Sequence, residues 1–478
     1  MRNHRRLLIT ACGLFVALIL PVQGADRSSR GTASSRPNLV LFIADDHTWH
    51  DCEPYGAKDV RTPNLARLAR EGLRFDAAFA ASPTCTPSRS AIYTGMFPFR
   101  NGAHANHSLV RDEVPTWPLR LKERGYRVVL AGKTHIGPRA AFPFEYLAGS
   151  NVMPPGKNHV LWTDLNTGAV DRLLAEHDRK QPLCLVVCSH SPHVYWPESE
   201  GYDPAKVELP PYLLDTPETR ATRSRYYTDV SWMDRQVGEV RDSLSKHGYA
   251  DQTLFLYTAD QGAQFPFGKW NLYDTGIRAP LLAAWPGKVK PGSTTGALVS
   301  LVDLLPTLIE VTGDKAPKDL DGRSFLPVLL GRSQRHREEV YAAHTGDGKM
   351  NRTPMRCVRT GRYKYLLNLA PQTVYQTHIS EGAGPDGKSY WTSWERVALK
   401  DLGAARLVQR YRHRPAEELY DLQQDPWEQQ NLAGDQSHSG LLSRLREKLK
   451  RWRLQQGEDL SKVPMPEDAR QGEIPYAK

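Results

Sequence analysis

Cysteine is scarce in this chain, with six in 478 residues. Cys184 and Cys188 share one face of the apolar run "LCLVVCSH", too far apart along a straight strand to bond to each other. No further cysteine or histidine cluster completes a tetrahedral zinc site around them, so they read as buried free thiols. Internal repeats are absent, and so is a glycine-rich phosphate loop. A solenoid and a P-loop nucleotide site are thereby excluded. Long apolar runs are missing except at the start. There "MRNHRR" is a basic n-region, "LLITACGLFVALIL" an apolar h-region and "PVQGAD" a stretch of small residues suited to cleavage. The run is short for a membrane span. Residues 1–24 therefore read as a cleaved secretory signal and 25–36, "DRSSRGTASSR", as a disordered linker, which predicts a secreted or periplasmic protein. Cleavage would remove three arginines and no acid, taking the formal charge from +10 to +7. That excess suits an anionic substrate and gives no sign of a nucleic-acid partner.

The rest alternates apolar runs with amphipathic stretches, the pattern of an α/β domain. "NLVLFIADD", "YRVVLAGKTHIG", "LCLVVCSHSPH" and "TLFLYTADQG" are strands running into polar loops. "TPNLARLAREG" is a capped helix, and a longer helix carries Val230, Met233, Val237, Val240 and Leu244 on one face. "ALVSLVDLLPTLIEVTG" reads as one buried helix. After about residue 340 the pattern becomes a hairpin turning at Thr360-Gly361, a short strand and an amphipathic helix. The expected division is a catalytic domain over 37–345 and a smaller α+β subdomain, antiparallel sheet plus helix, over 346–478.

Chemistry-bearing residues gather at one kind of place. Asp45 and Asp46, Lys133 and His135, His193, and Asp260 with Gln261 each follow the carboxyl end of an expected strand. In open α/β sheets ligands bind at that edge. Asp45, Asp46, Asp260 and the Gln261 carbonyl form an all-oxygen donor set, which favours Ca²⁺ over zinc. Cys85, in "SPTCTPSRSAIYTG", sits in a polar loop at a helix entry. Thr86 is the expected N-cap and Pro87 the first helical residue. The helix end and Arg89 should lower the pKa of its thiol. Arg89, Lys133, His135, His193 and Lys269 would surround it, a cationic set suited to a tetrahedral oxyanion. The constellation reads as hydrolysis of a sulfuryl or phosphoryl group, for which a thiol is an odd nucleophile.

"PTCTPSRSAIYTG" resembles the sulfatase motif C-x-P-S-R followed by T-G. The resemblance implies an alkaline-phosphatase-like large mixed sheet flanked by helices. It implies that a formylglycine-generating enzyme converts Cys85 to 3-oxoalanine, reading Thr86, Pro87 and Arg89. It also implies calcium on Asp45, Asp46, Asp260, Gln261 and residue 85, with Arg89, Lys133, His135, His193 and Lys269 catalytic. In that mechanism the hydrated aldehyde attacks sulfur, His193 protonates the leaving group and His135 serves as base. Gln261 stands where the family has Asn, and Lys269 where its sulfamidase branch has Arg. Three segments, "AGKTHIGPRAAFPFEY", "PMRCVRTGRYKYLLNL" and "ELYDLQQDPWEQQNLA", resemble that branch, which acts on N-sulfoglucosamine in heparan-type glycans. Substrate contacts are expected from His47, His107, Glu145 and "HTGDGKMNR". The rival readings are an O-sulfatase, a phosphodiesterase or phosphonate hydrolase of the same fold, and a non-catalytic glycan-binding protein.

Overall fold

A computed structural model describes residues 36–348, 351–382 and 388–476. The expected signal and all of the linker but Arg36 lie outside the described residues. Runs of branched aliphatic residues form the strands at the centre. β1 (Asn38–Ala44), β7 (Leu183–Cys188) and β8 (Thr253–Ala259) are buried along their whole length. Such runs are covered on both faces, and each fully buried aliphatic side chain contributes about 1.5–3 kcal/mol.

These strands belong to a nine-stranded mixed sheet. Its other members are β2 (Leu73–Phe79), β3 (Arg127–Gly132), β4 (Glu145–Tyr146), β9 (Arg278–Ala284), β10 (Ser293–Thr295) and β11 (Val299–Ser300). The order is β10-β2-β9-β8-β1-β7-β3-β4, with β11 also on β2. β3, β7, β1 and β8 run parallel, whereas β9 is antiparallel to both β8 and β2. A two-stranded ribbon, β5 (Asn151–Val152) and β6 (Asp164–Leu165), lies apart from it. Helix Pro217–Lys246 buries Val230, Met233, Val237, Val240 and Leu244, and Thr216 caps it by accepting from the Thr219 N–H.

Register places the site. Ile43 of β1 pairs with Cys188 of β7, which pairs in turn with Gly132 of β3, and Ala44 pairs with Ala259 of β8. The four strands therefore end on one line, and the ladder continues one bond further. The Asp260 N–H donates to Ala44 O (3.1 Å), Lys133 N–H to Cys188 O (3.0 Å) and Asp45 N–H to Ser191 O (3.1 Å). Aspartates, lysine and the histidine loop leave the sheet side by side.

The smaller sheet is antiparallel, in the order β12 (Glu339–His344), β13 (Met355–Thr360), β14 (Tyr363–Asn368), β15 (Glu417–Asp421). It takes in residues 339–344, ahead of the expected boundary at 345/346. Helix Ser439–Gln455 packs Leu442, Leu445, Leu449 and Trp452 against it, Trp452 stacking on Tyr341 at 4.9 Å. The segment expected as one helix, "ALVSLVDLLPTLIEVTG", divides instead. Val299 and Ser300 pair with β2, and the helix runs over Leu304–Val311. Sequence periodicity cannot separate a short buried strand from the buried helix that follows it. All five cysteines among the described residues are buried and unpaired; the Trp117 Nε1–H donates to Cys184 Sγ, and Cys188 Sγ lies 3.3 Å from the Tyr93 hydroxyl.

Gly132 ends β3 with φ +86°, and a Cβ there would lie 2.0 Å from Cys188 O. A Gly132→Ala variant should lose about 2 kcal/mol or more of stability in urea unfolding, because both the backbone and the space reject a side chain. Wild-type stability in that variant would show that β3 reaches Lys133 by another path.

Candidate active site

Helix Cys85–Thr94 is buried throughout, and its N-cap is Thr84, with extended backbone. The expected cap at Thr86 is thus two residues late, and Cys85 itself opens the helix. The expectation of a depressed thiol pKa is also overturned. Burial pushes Cys85 up to about 12, outweighing the opposing pull of Lys133 and Lys269. The loop is polar but buried, and Cys85 itself is 1% exposed. At neutral pH the unmodified thiol is protonated and poorly nucleophilic.

Around Cys85 Sγ stand Gln261 Nε2 at 3.1 Å, Asp45 Oδ1 at 3.8 Å, Lys133 Nζ at 3.9 Å and Asp46 Oδ1 at 4.0 Å. Arg89, one helical turn on, donates from Nε to Asp260 Oδ2 (2.8 Å) and from Nη2 to Asp45 Oδ1 (3.3 Å). The Ser88 hydroxyl donates to Asp260 O at 2.6 Å. Lys133 Nζ donates to Asp45 Oδ2, and Lys269 Nζ to Asp46 Oδ2 at 2.6 Å. His193 Nδ1 donates to Val194 O (2.6 Å), which leaves Nε2 facing Asp46 Oδ2 at 3.7 Å. Three carboxylates and three permanent cations thus share one buried cluster.

Electrostatics divides the acids. Burial alone would raise Asp45, but the permanent cations Lys133 and Arg89 hold its carboxyl well below the ordinary range. Burial wins at Asp46 and at Asp260, which is raised to about 7 despite Arg89. Burial also keeps His135 and His193 neutral, helped by the neighbouring lysines. The resident cations therefore do not fully stabilise three anionic carboxylates, and a divalent ion would.

The donors suit one. Asp45, Cys85 and Asp260 bring ligand atoms within 4.8 Å of one another, as do Asp46, Cys85 and His193. Gln261 Oε1 is buried with no hydrogen-bond partner, while its Nε2 donates to Asp46 Oδ1 at 2.6 Å. Turning that amide over would add a carbonyl oxygen to three carboxylates, a hard-oxygen set appropriate to calcium.

A cavity of about 520 Å³ opens above the cluster. Cys85, His107, His135, His193 and Lys269 line it, as expected of a common site. Sequence reasoning missed several walls: Asn106, Tyr195, Trp270, His378 and Tyr476, together with Asp347, known only as part of "HTGDGKMNR". Lys349 and Met350 of that stretch lie outside the described residues. Tyr476 comes from the far end of the chain. Its ring lies under Lys133 Nζ at 4.2 Å, and its hydroxyl is 3.5 Å from Asp45 Oδ2. The backbone secures it, the Thr134 and His135 N–H groups donating to Tyr476 O and Pro475 O. No motif spacing could have announced it.

Two expected substrate contacts lie elsewhere. His47 is wholly buried, bonded to the Tyr257 hydroxyl (2.6 Å) and to Asp51 O (3.0 Å), and does not line the cavity. The chain turns at Asp46, whose φ is +65°, and presents Asp46 rather than its neighbour to the site. Glu145 is in β4 at the edge of the sheet, where Arg127 grips both its oxygens at 2.6 and 2.8 Å, and it lines a different cleft. Left-handed backbone recurs around the cavity, at Asp46, His107, His135 and Trp270. Strain of this kind persists where surrounding structure imposes it, often at functional sites.

Arg89→Ala would leave Asp260 and Asp45 buried without their shared counter-charge. Urea unfolding at neutral pH should show a loss of about 3–5 kcal/mol, only partly recovered by Arg89→Lys, which lacks the fork that spans two carboxylates. A change below about 0.5 kcal/mol would contradict the pairing.

Comparison with known proteins agrees with this geometry. The sulfatase family model matches residues 37–314, and the model for the C-terminal part of N-sulphoglucosamine sulphohydrolase matches 262–378. An ulvan-active sulfatase of Formosa agariphila is 32% identical over 433 residues, 90% of this chain and 82% of that protein. N-sulphoglucosamine sulphohydrolase of Homo sapiens is 30% identical over 472 residues, 88% of this chain and 91% of that one. A protein solved in complex with its substrate D-glucosamine-2-N,6-O-disulfate superimposes with a TM-score of 0.65 at 21% identity, covering 88% and 98% of the two chains. A phosphonate monoester hydrolase of Silicibacter pomeroyi gives 0.66 at 20% identity, covering 88% and 96%. Those two neighbours show the fold alone; the family model over residues 37–314 and the 32% identity over 90% of the chain show that this protein belongs to the sulfatase family.

Proposed function

We propose that this protein removes the N-sulfo group from glucosamine at the non-reducing end of heparan-type oligosaccharides, outside the cytoplasm. One observation carries the choice of substrate. Gln264, Lys269, Trp270, Asp347 and His378, which wall the cavity, all fall within the stretch similar to N-sulphoglucosamine sulphohydrolase. The basic and apolar N-terminus supports export, and among the described residues no helix is long and apolar enough to cross a membrane. A concave site walled from both sheets suits a chain end better than a chain interior.

Asp45, Asp46, Asp260 and Gln261 would hold calcium. The ion would supply positive charge against the sulfuryl oxygens, and the hydrated aldehyde of a matured residue 85 would supply the nucleophilic oxygen. The chain's own groups do the rest. Arg89 and Lys133 hold Asp45 and Asp260 in place around residue 85. Lys133 and Lys269 place ammonium groups where sulfuryl oxygens gain negative charge. Neutral His193 carries its proton on Nδ1, toward Val194 O. To protonate the departing nitrogen it must gain a second proton at Nε2, which an incoming sulfo anion beside Lys269 would stabilise. His135, kept neutral by burial, is the base for release of sulfate.

A second reading rests on Lys269. Its compact ammonium, in place of a guanidinium fork, fits an O-sulfo group as well as an N-sulfo group. The test uses protein made with a formylglycine-generating enzyme and loaded with Ca²⁺. Peptide mass spectrometry should find an aldehyde at residue 85, and sulfate should be released from a terminal glucosamine N-sulfate. Release from the 6-O-sulfate alone would replace the substrate by the second reading. No release from any sulfated sugar by matured protein would overturn the catalytic reading.

A further inference from the structure

His107 lines the cavity with 56% of its side chain exposed. Its Nδ1 lies 3.0 Å from His135 Nε2, and its Nε2 lies 3.4 Å from Asp347 Oδ1. The two rings are 4.9 Å apart. Asp347 is buried, and its Oδ2 accepts from the Trp270 indole N–H (2.7 Å) and from Asn106 Nδ2 (3.0 Å). Both histidines sit in left-handed backbone, φ +61° and +49°. The segment before the C-terminus holds both loops, through Leu109 N–H to Arg470 O and His135 N–H to Pro475 O.

The direction of this chain follows from what each group can do. An ionised carboxylate only accepts, so the contact with Asp347 calls for a hydrogen on His107 Nε2, and in the neutral ring that makes Nδ1 the acceptor. His107 Nδ1 then accepts from His135 Nε2–H, and the second nitrogen of His135, Nδ1, is bare. That nitrogen is buried and has no partner among the described residues. Asn106 Nδ2 is 3.2 Å from His107 Nε2 and competes for the same nitrogen. Its amide is held by the Thr86 N–H on Oδ1 and directed to Asp347 on Nδ2, so the charged acceptor prevails at the ring.

We infer that Asp347 and His107 are positioning residues that fix His135, which lines the cavity with Cys85, as the Nε2–H tautomer, leaving its buried Nδ1 without a proton. The inference rests on the proposed role of His135 as base. Were His135 Nδ1 to take a proton in the proposed reaction, no bond in the relay need break. Nε2–H stays bonded to His107, and the Asp347 carboxylate balances the new positive charge through that ring. His378 lies near the same carboxylate, Lys269 near His378 and Lys133 near His135, so the relay works in a cationic surround that would otherwise oppose protonation.

The test is nitrogen-15 NMR of the histidine side chains in matured, calcium-loaded protein, with His135 assigned by its loss in His135→Gln. The expected result is a His135 ring protonated on Nε2 in the wild type, with that preference lost in His107→Phe. A His135 ring protonated on Nδ1 in the wild type overturns the inference whatever the enzyme's activity. In kinetics His107→Phe should lower kcat by roughly 10- to 100-fold with KM little changed. His107→Gln, whose amide can accept from His135 and donate to Asp347, should recover most of it. Equal rates for wild type and His107→Phe would also overturn the inference. Failure of the parent reading looks different, since matured wild-type protein would then release no sulfate at all.

Discussion

Everything at this site depends on holding three carboxylates together in a buried place. Asp45, Asp46 and Asp260 are each fully buried, and like charges so close would drive one another to protonate. The fold answers with Arg89, Lys133 and Lys269, each delivered by a different part of the chain. Arg89 comes from the helix that Cys85 opens, Lys133 from the end of β3 and Lys269 from the loop after β8. A buried pair of this kind contributes little net stability, because desolvation cancels most of the attraction. What it provides is position. Cys85 cannot move without disturbing Asp260 and Asp45, since Ser88 and Arg89 on the same helix bond to both.

The second half of the molecule turns that charged floor into a pocket. Trp270, Asp347 and His378 form one wall, and Asp347 ties it to the opposite loop through Asn106 and His107. Lys364 of β14 pairs with Asp274 and Glu428, and Arg359 of β13 with the same Asp274, so the smaller sheet is fixed to the loop that carries Lys269. The C-terminal residues then lie across the edge of β3 and put Tyr476 among His135, His190 and His193. Chemistry and recognition are thus built from different stretches of sequence and meet only in the folded state.

This explains what could be read beforehand. The strands ending at Ala44, Gly132, Cys188 and Ala259 were legible because an unbroken aliphatic run followed by charged or polar residues has few other interpretations. The residues they carry were legible for the same reason. Cys85, Arg89 and Lys269 came from motif spacing and from resemblance. The environment of Cys85 was not legible, because helix-end and arginine effects are local in sequence whereas its burial is tertiary. His47 and Glu145 misled because a polar residue next to a motif can face either way. A positive φ at Asp46 settles the first case and the Arg127 partner at the sheet edge the second. Asp347 and Tyr476 depend on contacts between residues hundreds of positions apart, which no periodicity encodes.

The central claim is that the carboxylate cluster is completed by calcium. Thermal unfolding of chelator-treated protein against free Ca²⁺ tests it most directly, because a ligand held by the native state raises Tm as its concentration rises above Kd. The account predicts a Tm that climbs with Ca²⁺ in the wild type, and no such climb when Asp46 and Asp260 are both replaced by Asn. A wild-type Tm indifferent to Ca²⁺ up to millimolar concentration would contradict it.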